Sequence, residues 1–141
     1  MTNPRLRFSA PFLATLLLTT PAAAQIIPTG TPAADILLAT AITEHRTFLT
    51  CSALDPVFHA KVLATWQQDT AAAIAILTAS NVGQDAINAF AEAADPKTLL
   101  PAPDTPWSAV KGLCDTQPDW RQRYSLVGIS ILELHLPQAF P

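Results

Sequence analysis

With only four glycines in 141 residues, at positions 30, 83, 112 and 128, the chain cannot assemble a glycine-rich loop of the kind that cradles phosphates. No serine stands in a GxSxG elbow, so the usual sequence mark of a nucleophilic hydrolase is missing. The two cysteines, Cys51 and Cys114, lie far apart, without the short CxxC spacing of thiol redox centres or zinc sites. Charge is sparse at 13% and no basic cluster occurs, which argues against nucleic acid and against anionic lipid surfaces as partners. No apolar run approaches the roughly 20 residues that a bilayer-spanning helix requires. There is no internal repeat, and no cofactor is implied.

What is present begins with an export signal. Arg5 and Arg7 form a basic start, Phe8 to Leu18 an apolar run interrupted by Pro11, and Pro21-Ala22-Ala23-Ala24 a small-residue exit. This layout predicts a signal peptide over residues 1–24, cleaved before Gln25. No cysteine waits there for a lipid, and Leu6 separates the arginines, so the general secretory route to a periplasm or the exterior is expected, with no stable membrane insertion after cleavage. Removing 24 of the 141 residues leaves 117, enough for a single domain over 25–141. With Arg5 and Arg7 gone, six of the eight basic residues face all eleven acidic ones, a formal charge of −5.

Two cysteines in an exported chain of this size most simply form a disulfide. Joining Cys51 to Cys114 would close a loop whose chain-entropy value is roughly 4 kcal/mol.

Proline then punctuates the chain. Thr31-Pro32, Asp55-Pro56, Asp95-Pro96, Thr105-Pro106 and Gln117-Pro118 each precede an apolar run, the pattern of a capping residue followed by a first helical position whose φ is already set. After a loose leader over 25–31, a first helix is expected over about 32–50, with Leu37, Leu38, Ala41, Ile42, His45, Phe48 and Leu49 on one face. A longer second helix starts at Asp55-Pro56 and carries Val57, Phe58, Val62, Leu63, Trp66, Ala73, Ile74 and Leu77 at steps of three and four. Lys61, Gln67, Gln68 and Asp69 fall away from that stripe. Asn81-Val82-Gly83 tolerates positive φ and should end the helix near Ser80. The short link between the two helices predicts antiparallel neighbours.

A third helix spans roughly 84–94, ended by Asp95-Pro96, which can begin one further turn, and a proline-rich loop over 95–105 tucks Leu99 and Leu100 beneath it. A fourth helix opens at Thr105-Pro106 with Trp107, Val110, Leu113 and Cys114, and a fifth after Gln117-Pro118 with Trp120, Tyr124 and Val127. Residues 127–136 alternate like a strand and also fit a helix; with no partner strand in sight, helix to about Ile131 and then an extended, docked tail is the reading. The fold class is therefore all-α, a small bundle of about four to five helices stapled by one disulfide.

Three sets of residues bear on function. Glu44, His45, Asp55 and His59 could converge at the helical hairpin, and a metal-binding or hydrolytic site would use them, with His45 and His59 as metal ligands. The plainer expectation is a partly buried His45, a surface His59 and a surface His135. Trp66, Trp107 and Trp120 are either core or the lining of an exposed groove, where indoles anchor partners. Abundant helix signals and missing catalytic motifs favour a binding or accessory protein whose partner is another periplasmic or envelope protein. A carrier of a small hydrophobic ligand, with a tryptophan-lined pocket, is the further alternative.

Overall fold

A computed structural model of the chain describes residues 27–127 and 131–141. The leader over 1–24 and the Gly128–Ser130 part of the ambiguous stretch lie outside the described residues. The described residues form α-helices joined by short loops, without strands: α1 Pro32–Ser52, α2 Pro56–Ala79, α3 Gln84–Ala94, α4 Pro96–Leu99, α5 Trp107–Asp115, α6 Trp120–Val127 and α7 Ile131–His135, followed by a 3₁₀ turn over Leu136–Ala139. None of these helices is long and apolar enough to cross a membrane.

Local chemistry sets the helix ends. The Asp55 carboxylate accepts from the Phe58 N–H at 3.1 Å, and Pro56 follows in the first turn of α2. Asp95 accepts from the Lys97 N–H in the same way at the head of α4, so the loop expected over 95–105 contains one short helix. At α1 the device differs. Thr31 makes no side-chain cap, and Asp35 reaches back to accept from the Thr29 N–H at 2.9 Å and from its hydroxyl. That bond fixes the segment expected to be a loose leader, and Ile27 at its start is fully buried. Asn81, at φ +57°, stops α2: its N–H donates to the Thr78 carbonyl and the Val82 N–H to the Leu77 carbonyl, closing the last turn.

The core is built by α1 and α2 with α3 and the chain's end laid across them. Leu38, Phe48, Leu49, Val62, Trp66, Ala73, Leu77 and Phe90 are fully buried, and Leu99 is nearly so. Leu132 and Leu136 are fully buried too, so the tail docks as expected. It docks as helix and 3₁₀ turn, however, where an extended segment was expected. The reason is a carboxylate 63 residues away: Asp69 on α2 accepts from the Leu132 and Glu133 N–H groups at 3.5 and 3.2 Å. A helix of five residues gains an N-terminal cap from another element. Asp69 is consequently buried, contrary to its expected place off the stripe, and burial raises its carboxyl above the ordinary carboxylate value. Val57 errs the other way, being expected on the stripe and found 83% exposed.

Cys51 and Cys114 are joined, their Cα atoms 5.7 Å apart, which pins α5 to the end of α1. The helix count exceeds the expected four to five because α4 and α7 are single short turns that periodicity over a longer window passes over.

Candidate functional site

The histidines do not share a site. His45 is buried on α1, its ring stacked on Trp66 at 4.0 Å and edge-on to Phe48 at 5.3 Å. Its Nδ1–H donates to the Ala41 carbonyl at 2.8 Å. Burial in this apolar setting lowers its pKa from 6.5 to about 4, against the smaller opposing pulls of that hydrogen bond and of Glu44. His59, on α2, instead meets the Ser52 hydroxyl through its own Nδ1 at 2.9 Å. Ser52 is buried, and its hydroxyl also lies 3.2 Å from the Leu49 carbonyl. Glu44 accepts from the Arg123 Nε–H at 3.0 Å, linking α1 to α6, while Asp55 caps α2. Among the described residues no three of the His, Cys, Asp and Glu side chains converge to hold a metal. His135 is exposed near the chain end.

The tryptophans divide. Trp66 is fully buried, its indole N–H donating to the Ala94 carbonyl at 2.8 Å, so it belongs to the core and lines no groove. Trp107 and Trp120 lie in different helices yet face the same groove of about 340 Å³ beside the disulfide. Its floor is the end of α1, with Thr50 and Cys51, and Leu54 of the turn that follows lies beside it; one wall is α5, with Trp107, Val110 and Cys114; the other is Trp120 and Arg121 of α6. The volume falls in the range of about 300–1,000 Å³ that ligand sites occupy.

Three features make this groove more than a gap between helices. Trp107 is 54% exposed and Leu54 71%, which is costly apolar surface to leave in water. The Trp120 wall is held in place: Arg121 lies 4.9 Å from the Phe58 ring centre, 5.5 Å from that of Trp120, and 3.7 Å from the Asp55 carboxylate. And Thr50, buried in the floor, has a hydroxyl without a hydrogen-bond partner, alone among the buried side-chain polar groups described. An orphaned buried hydroxyl costs about 1–3 kcal/mol. The rim carries both signs, with Lys111 paired to Asp115 and Arg121 facing Asp55.

No family model, curated protein or solved structure matches this chain. Function must therefore be argued from the groove itself.

The sequence offered Trp107 and Trp120 as groove candidates but carried no sign of Thr50 or Leu54. Thr50 looks like any polar residue of a helix end, and its lack of a partner appears only in the folded chain. A second cavity, about 380 Å³ and almost wholly apolar, lies between α1, α6 and α7, lined by Leu37, Ala41, His45, Leu126 and Ile131 with Arg123 and Glu44 at its edge. No tryptophan lines it.

Proposed function

We propose that this chain is an exported binding protein of the periplasm or cell exterior, an accessory partner of an envelope protein, and that the partner seats on the groove between Trp107 and Trp120. The observation that carries the reading is the pairing of two indoles from separate helices in one groove. Aromatic anchors in a pocket with a charged rim are the usual composition of an interface centre. The leader-like residues 1–24 and the disulfide support the compartment. Tagged mature chain incubated with periplasmic extract should retain one protein in stoichiometric amount, and Trp107→Ala should lose it while Lys97→Ala, on α4 outside the groove lining, keeps it. Equal retention by wild type and Trp107→Ala, or no retention at any salt concentration, would sink the proposal.

A second reading, a carrier of a small hydrophobic molecule, is favoured by the apolar cavity beside His45. It expects an organic extract of the purified protein to yield such a molecule in equimolar amount; an empty extract, with no thermal shift across apolar ligands, dismisses it.

A further inference from the structure

The wall that presents Trp107 is held to the body in an unusual way. Helix α5 contains no buried residue. Its neighbour is the end of α1, and among the described residues no hydrogen bond or ion pair joins α5 to another helix; its one ion pair, Lys111 with Asp115, is internal. Leu113, which would be expected to anchor such a helix, is 36% exposed. Among the described residues the disulfide is thus the one specific bond from α5 to another helix. The contrast with α7 is direct, since that shorter helix buries Leu132 and is capped by Asp69.

The same disulfide lines the groove. Cys51 is buried, with 8% of its surface exposed, whereas Cys114 is only half-buried. Both cysteines line the groove, and Cys114 is the more exposed residue of the two.

We propose that Cys51–Cys114 is a thiol-exchange site, opened in the folded protein by a dithiol reductant, and that opening it releases α5 and dismantles the groove. A thiolate of the dithiol attacks Sγ of Cys114; the S–S bond breaks, and Cys51 leaves as a thiolate that takes up a proton. The second thiol of the reductant then attacks the mixed disulfide, departs as a cyclic disulfide, and leaves Cys114 reduced. The protein gains two electrons and two protons, which the dithiol supplies. The consequence for partner binding rests on the groove reading above; the release of α5 does not.

Mature protein is treated with dithiothreitol without denaturant, quenched and alkylated, and amide hydrogen exchange is mapped before and after. Both cysteines should become alkylated, amides of residues 107–115 should lose protection, and those of 62–77 should keep theirs. Cys114→Ser should give the reduced exchange map with no reductant present. A disulfide that survives until urea is added overturns the proposal, as does unchanged protection in α5 or a collapse of α2 along with α5. Partner retention is read separately. If oxidised wild type retains nothing, the groove reading fails while the exchange map still decides the redox claim.

Discussion

Trp66 and Trp107 mark two parts of the molecule built on opposite terms. Around Trp66 the polar atoms are accounted for: its indole N–H reaches the Ala94 carbonyl, His45 stacks on its face, and Asp69 lies one turn further along the same helix with two backbone N–H groups in its grip. Around Trp107 no residue of the helix is buried, and a disulfide takes the place of packing. Close packing secures a region through many weak contacts, so no single one can be switched off. A region held by one covalent link can be. The difference teaches that the same residue type serves stability in one setting and recognition in the other, and that the neighbours decide which.

The sharpest way to break the comparison is to truncate both indoles. Trp66→Ala should cost about 3–5 kcal/mol, as deletion of a fully buried large aromatic does, with the Ala94 carbonyl left short of a donor. Trp107→Ala should change stability by no more than about 0.5 kcal/mol, since the residue is more than half exposed. Urea denaturation of the two variants reads the difference. Comparable losses would mean that α5 packs on the body far more tightly than its exposure implies.

The second prediction is a pH dependence that belongs to the core alone. His45 takes up a proton near its ordinary 6.5 when unfolded and only at about 4 when folded, so the unfolded state binds more protons between those values. Its contribution is therefore complete above pH 6.5 and drains away as pH falls toward about 4. At 1.36 kcal/mol per unit the loss is about 3 kcal/mol. Asp69 works in the opposite sense. Burial raises its folded pKa above 3.8, so its contribution is present below that value and is lost as pH rises through the raised one. His45→Phe should flatten the fall in urea midpoint between pH 6.5 and 4, and Asp69→Asn should leave that fall steeper than in wild type. A His45→Phe variant with the wild-type slope would show that burial of the imidazole is not its source.

How much of this was legible beforehand follows the same division. The long helices are written locally: capping residue, proline, then apolar residues at three and four, which placed α1, α2 and α3 within a residue or two of their observed ends. The disulfide followed from two cysteines in a chain expected to be exported. What escaped was everything decided at a distance. Asp69 reads as a surface residue until α7 folds over it, and α7 reads as tail until Asp69 caps its start. Trp107, Val110 and Leu113 have the spacing of a core stripe, yet none of the three is buried. For the same reason the groove was half visible: its indoles stand out in the sequence, while the floor that makes it a site is a product of the tertiary fold.

The smallest effect separates two ion pairs that look alike in sequence. Arg123 and Lys111 each pair with an aspartate four residues away in sequence, Asp119 just before α6 and Asp115 in α5. Lys111 stops there, with both partners about 60% exposed, where side-chain entropy and water leave roughly 0.3–0.5 kcal/mol for such a pair. Arg123 goes on to donate from Nε to Glu44 on α1 at 3.0 Å and from Nη2 to the Gln117 side chain, at only 27% exposure. One planar guanidinium therefore ties α6, the turn before it and α1 together, and its three bonds are formed by a group already held in place. Arg123→Met should cost about 1 kcal/mol, at the upper end of the range for partly exposed pairs, and Lys111→Met close to nothing. High salt should shrink the gap only slightly, because partly buried charges are poorly screened. Two variants with equal midpoints would mean that α6, like α5, is fastened to the body by something other than its charges.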